Sequence, residues 1–281
     1  MSSTELQTSD VDFKDRSVIV RKPNKQWISP ESLNRRDQWI SISTIVALLL
    51  LWEIEARIEL IDARFLPSPS SVIIEGWNEL VSGVLPTNIL ISLRRMFIGY
   101  FIGAGIGLLV GVIMSVNRWF RAIINPIVAI FFPLPRVALI PLILIVFGFG
   151  DISIIVLVVL AVLFTQIIIT VGGVDSIDPV FHEVAKTYSL SKYKYFRWVL
   201  IPGALPVIMA GLRDSLGHAF LATLITEFLT AREGLGYLIW HSWEIFNVKL
   251  TFLSLVATGI IGFLLFKLID VAERFFIPWK R

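Results

Sequence analysis

From residue 40 onward, long apolar runs alternate with short polar ones. Six of these runs are candidates for helices crossing roughly 30 Å of hydrocarbon. They are about Ile40–Glu55, Met96–Val116, Ile123–Phe147, Ile152–Val171, Leu205–Leu229 and Leu250–Ile269. The first is short, with Trp39 and Trp52 set like interface anchors. In the third, Pro126 falls in the first turn, where proline is tolerated. Pro133, Pro135 and Pro141 would each remove an intrahelical bond there. Irregular backbone at membrane depth must be buried in protein or line a cavity. A surface helix is expected after Pro67-Ser68-Pro69-Ser70, where apolar residues fall at helical spacing.

One polar island interrupts the pattern, Asp178 to Pro206, within a loop of about residues 174–205. Asp178-Pro179 reads as a helix start, a capping carboxylate followed by proline at the first helical position. Ser189-Leu190-Ser191 reads as a break, with Ser191 capping a second short helix. Pro202 is expected to stop that helix. Two short amphipathic helices on one face of a membrane offer a grip to a soluble partner.

Composition supports a multi-span membrane protein: 56% of the 281 residues are hydrophobic and 17% charged. With no cysteine in the chain, disulfides and cysteine-held metals or iron–sulfur clusters are excluded. Residues 1–38 predict a polar tail without a cleavable signal, and residues 39–281 a transmembrane domain. With the N-terminus inside, seventeen Lys and Arg fall inside and six outside, leaving out Arg136 and Arg213 within spans. This bias predicts both termini and the island in the cytoplasm.

Gly99, Gly103, Gly107 and Gly111, each four apart, make a flat helix face for close packing, expected within the subunit. Arg136, Asp214, His218 and Glu227 are ionisable groups inside spans and candidates to line a pathway. By depth, His218 and Asp214 match Arg136 better than Glu227 does. Arg94 and Arg95 are weak candidates for drawing an anion inward from the outer side. The sequence holds no G-x-x-x-x-G-K-[ST] phosphate loop, no metal-ligand pair and no serine–histidine–carboxylate spacing. Neither an enzyme nor a metal site is expected.

The segment E-V-A-K-T-Y-S (Glu183–Ser189), with V-L-I-P-G-A-L-P (Val199–Pro206) and G-L-R (Gly211–Arg213), resembles the "EAA" coupling motif of permease subunits of binding-protein-dependent ABC importers. L-P-S-P at Leu66, S-L-R-R at Ser92, P-L-P-R-V-A-L-I-P-L at Pro133, F-G-F-G at Phe147 and G-L-G-Y at Gly234 resemble the nitrate/sulfonate/taurine subgroup. Val184 stands where the family has alanine, and Ser189 where it has the turn glycine.

The resemblance implies an all-α membrane protein of the type I ABC importer permease fold, with about six transmembrane helices and a cytoplasmic pair of coupling helices. It implies a second permease copy (a homodimer), two cytosolic ATP-binding subunits holding ATP-Mg, and an external or periplasmic solute-binding protein. It further implies a multi-pass bacterial inner-membrane subunit, with the lipid bilayer and no nucleic acid among its partners. Glu183, Val184, Ala185, Tyr188, Ser189, Leu190 and Ser191 would couple to the ATPase, with Ala185 keeping the contact close. The implied solute is a small oxyanion such as a sulfonate, taurine or nitrate, and the alternative is a vitamin precursor or other small organic solute. An ion-coupled transporter or channel without ATPase partners stays open, as does a membrane scaffold.

Overall fold

A computed structural model describes residues 35–58, 61, 62 and 64–276. Most of the expected polar tail lies outside them. Contacts divide the chain into two compact units, residues 1–50 and 51–281. Of the first unit, only residues 35–50 are described, as part of helix α1 (Arg35–Arg57).

Among its described residues, the regular structure of the second unit is all helical. After the last turns of α1 come α2 (Pro69–Val81), α3 (Val84–Val116) and α4 (Arg118–Phe131). A 3₁₀ turn (Arg136–Leu139) leads into α5 (Ile140–Phe147), and α6 spans Asp151–Asp175. Two short helices follow, α7 (Pro179–Thr187) and α8 (Lys192–Tyr195), then a π-helical stretch (Phe196–Leu200) and α9 (Ile201–Thr230). The chain continues with α10 (Leu235–Glu244) and α11 (Val248–Phe276). Among the described residues, five helical stretches are long and apolar enough to cross a membrane, and α4 with α5 makes a sixth if that bent pair counts as one span.

Most span limits fall within a few residues of those expected, and the exceptions have identifiable causes. The second span starts at Val84, twelve residues before Met96. Its polar first turns are held by partners distant in sequence, which a hydropathy reading does not register. The third span opens at Arg118, because the Asn117 side chain caps it, accepting from Trp119 N (3.0 Å) and Phe120 N (3.1 Å). Pro126 therefore sits inside α4, not in its first turn. The break falls between Phe131 and Arg136, where α4 and the next helix meet at 93°.

Pro202 does not stop the second island helix. Lys192–Thr230 is one continuous span. The π stretch just before the proline moves the bonding register, so that Ile201 N–H reaches back to Phe196 O. The chain passes a residue without a donor while the surrounding helix keeps its bonds.

α6 lies at the centre, flanked by α3 and α9. The glycine stripe of α3 is the contact with α6. A β-carbon at Gly103 would lie 2.8 Å from Val159 O, and one at Gly107 2.8 Å from Leu163 O and Gln166 Cβ. At Gly99 and Gly111 it would meet Val158 and Thr170. Only hydrogen at these positions lets the two backbones approach so closely. Around this seam Met96, Leu157, Val158, Ala161, Val162, Leu216 and Ala219 form the main buried cluster.

Candidate functional site

Three polar groupings stand out against this apolar bundle: the α7–α8 end, the middle of the spans, and the α10 end.

At the α7–α8 end, Asp178 Oδ1 accepts from Val180 N (2.9 Å), and Pro179 fills the first helical position. The other end closes in a Schellman arrangement. Ser189 N–H donates to Lys186 O (2.9 Å) and Leu190 N–H to Ala185 O (3.0 Å), with Ser189 at φ 48°. Ser191 then caps α8 through Lys194 N (3.4 Å).

These caps set the rotation of α7. Phe181, Val184 and Tyr188, spaced three and four apart, share one exposed stripe, with Tyr188 76% exposed. Val180 and Glu183 are exposed beside them. Phe181 and Val180 were not singled out in the sequence, although the same spacing contains them. Ala185, expected at the contact surface, is turned inward and 6% exposed, and His182, three residues before it, is half-buried. Leu190 is half-buried, and Ser189 and Ser191 are exposed.

In the middle of the spans, Arg136 opens the 3₁₀ turn directly after the break and donates to Thr165 Oγ1 (3.1 Å). Thr165 in turn donates to Ala161 O. Asp214 and His218, one turn apart on α9, are a weak pair at 3.5 Å; Asp214 is 57% exposed along its side chain. Arg213, on a neighbouring face, pairs with Asp270 of α11 at 2.6 Å. Arg136, Asp214 and His218 thus bring ionisable groups to mid-span, where hydrocarbon cannot solvate them.

At the α10 end, Glu227 is fully buried, with 0% exposure. Its Oε1 accepts from Arg95 Nη1 (2.9 Å), and its Oε2 from Ser92 Oγ (2.7 Å) and Gly236 N–H (3.0 Å). Arg95, 7% exposed along its side chain, also pairs with Asp151 at 2.6 Å and donates to Glu233 O (2.7 Å). Arg94 pairs with the same Asp151. The G-L-G-Y segment serves this carboxylate. A β-carbon at Gly236 would lie 2.7 Å from Glu227 Cβ, and Leu235 N–H donates to Ser92 Oγ (2.7 Å).

Two arginines and two carboxylates therefore neutralise one another and join α3, α6, α9 and α10. This corrects two expectations. Arg95 has its charge committed to carboxylates and is not offered to an incoming anion, whereas Arg94 shares Asp151 with a side chain 58% exposed. Glu227 lines no pathway, since its partners enclose it. The signal for the cluster lay in G-L-G-Y and in the Arg94-Arg95 pair within α3, but their partner, Glu227, is 132 residues from Arg95.

Residues 103–281 match the family described as the inner membrane component of binding-protein-dependent transport systems. Among curated relatives, the taurine transport system permease protein TauC of Escherichia coli (strain K12) is 30% identical, over 87% of this chain and 90% of its own. The nitrate import permease protein NrtB of Synechococcus elongatus is 29% identical, over 90% of this chain and 99% of its own. The riboflavin transport system permease protein RibX of Chloroflexus aurantiacus is 30% identical, over 88% and 93%. Among solved structures, an inward-facing MetNI methionine ABC transporter chain superposes with a TM-score of 0.62 at 22% identity. That match covers 70% of this chain and 97% of the other, and it carries the fold.

Proposed function

The chain belongs to the family of inner-membrane components of binding-protein-dependent transport systems, as an ABC importer permease of the nitrate/sulfonate/taurine subgroup, and from that premise we propose how it works and what it carries. It is a non-catalytic, multi-pass subunit of an ATP-driven importer served by a binding protein. Two copies enclose one pathway, and two cytosolic subunits bind ATP-Mg and dock on α7. Both termini are cytoplasmic, in keeping with the excess of Lys and Arg on the α7 side of the spans.

The observation that carries this reading is the outward stripe of Phe181, Val184 and Tyr188 with Glu183 beside it. The stripe lies on a short capped helix outside the spans, where no lipid tail would cover it. An apolar stripe with one carboxylate fits a groove with a basic or backbone donor at its rim. Ser189, Leu190 and Ser191 shape the turn that presents it, and Ala185 lets α7 lie close against its own subunit. ATP-driven approach of the docked subunits pushes α7, and the membrane halves rock between inward- and outward-open states.

Arg136, Asp214 and His218 face this pathway. Asp214 is exposed and Arg136 and His218 are half-buried; charge at mid-span is costly against lipid, so water or a second copy must meet it. The solute is a small oxyanion such as taurine, another sulfonate or nitrate, in keeping with the relatives' names and with the cationic Arg136. The riboflavin relative supports a second reading, a neutral organic solute.

The test is uptake into proteoliposomes holding the permease with its ATPase subunits and binding protein, offered taurine, nitrate and riboflavin in turn. ATP-dependent uptake of an anion is expected. Uptake of riboflavin alone replaces the anion assignment, and uptake under an ion gradient with ATP depleted overturns the ATPase-coupled mechanism.

A further inference from the structure

Helix α7 is lightly held. Ala185 is the buried one of its nine residues. Among the described residues, one side-chain hydrogen bond leaves α7 for another element: His182 Nδ1 lies 2.6 Å from the Tyr195 hydroxyl. The two rings are 5.8 Å apart between centroids and tilted by 44°. The sequence reading singled out neither residue for a role.

Tyr195 occupies a particular place. It is the last residue of α8, and the π stretch begins at the next position. Its ring also packs on the cluster Val174, Ile177, Leu200, Ala204 and Ile208, where α6 meets the foot of α9. The π stretch widens the turn, and Pro202 and Pro206 then lack donors, so the helix is short of backbone ties over this stretch. Alongside runs a cavity of about 840 Å³, bounded by Ser115 and Val116 of α3, Asp175 of α6, and His182, Lys192 and Tyr195. It gives the α7–α8 pair clearance to swing against the ends of α3 and α6.

The covalent route from α7 to the long helix is Tyr188 to Ser191, four residues including Ser189 at φ 48°. A push on α7 would be absorbed in that turn unless a second link fixed the angle. We propose that His182 and Tyr195 are that link: a strut bracing α7 against the foot of the α8–α9 helix, so that force applied to α7 bends the long helix at the π stretch. Both are positioning residues and touch neither solute nor nucleotide. The strut rests on the reading of α7 as the ATPase contact.

Tyr195→Phe in the complete reconstituted complex isolates the link, because it removes one hydroxyl and keeps the ring. Solute carried per ATP hydrolysed should fall at least three-fold. The yield of co-purified ATPase subunits and the melting temperature in detergent should stay at wild-type values. His182→Ala should give the same fall and the double variant no further one, while His182→Gln, which can still bond the hydroxyl, should recover part of it. An unchanged ratio in Tyr195→Phe overturns the strut alone. A fall matched by lost subunits or a lower melting temperature makes the pair merely structural and also overturns it. Wild-type transport that ignores ATP removes the coupling reading, and the strut with it.

Discussion

At Gly107 a β-carbon would stand 2.8 Å from two atoms of α6, whereas at Gly105, two residues away, it would meet nothing within 4 Å. Gly107→Val should therefore force α3 off α6, with a cost of overpacking of about 1–3 kcal/mol. Gly105→Ala should be neutral or slightly stabilising through helix propensity. Thermal unfolding of the purified subunit in detergent distinguishes the two. The buried Glu227 gives a second contrast. Glu227→Leu leaves Arg95 with Asp151 as its remaining carboxylate, and losing one partner of a buried pair costs roughly 3–5 kcal/mol. Arg95→Met combined with Glu227→Leu should be milder than the two single costs added, as the same melts would report. Little of this was legible in the chain. Hydropathy marks Arg95 and Glu227 as charged groups in apolar runs, but their pairing depends on how α3 and α9 align, which depth counting along separate helices resolves only coarsely.

At the scale of elements, local chemistry carried further. Asp178-Pro179 and Ser191 mark helix starts because a cap is made by neighbours one to three residues away, and both starts stand where those residues fall. The same holds for the glycine stripe, whose period gives a flat face although not which helix covers it. The rule failed at Pro202, where a π turn upstream takes up the missing donor within a helix that buried contacts on α6 hold in place. The Ser189 turn yields a prediction of its own. A serine at φ 48° bears a left-handed cost that glycine escapes, about 1 kcal/mol. Ser189→Gly should slow amide hydrogen exchange at Leu190, whose N–H closes the turn on Ala185 O. Ala185→Trp should act in the opposite sense. It would lever α7 from its own subunit, lowering transport per ATP by ten-fold or more while the spans stay folded, as the helical circular-dichroism signal would report.

For the molecule as a whole, apolar run length was enough to mark the five long helices and the bent α4–α5 pair, because a bilayer admits few alternatives to a helix. The bent third span was legible as irregular from its prolines, but its 93° angle, with α4 against α3 and α5 against α6, was not. Orientation is a property of the whole chain too. A reporter enzyme fused after Arg281 should be active on the cytoplasmic side only, and periplasmic activity would reverse the topology proposed for α7.

One feature has an electrical consequence. A single positive charge carried through the full membrane field feels about 2.3 kcal/mol per 100 mV. Arg94 and Arg95 are matched by Asp151 and Glu227, so this four-residue cluster, with all four groups ionised, carries no net charge. However far that end rocks in each cycle, its cluster does no net work against the membrane potential. Under the proposed mechanism, voltage acts on the solute and on whatever charge lines the path, and the cluster at the α10 end is blind to it.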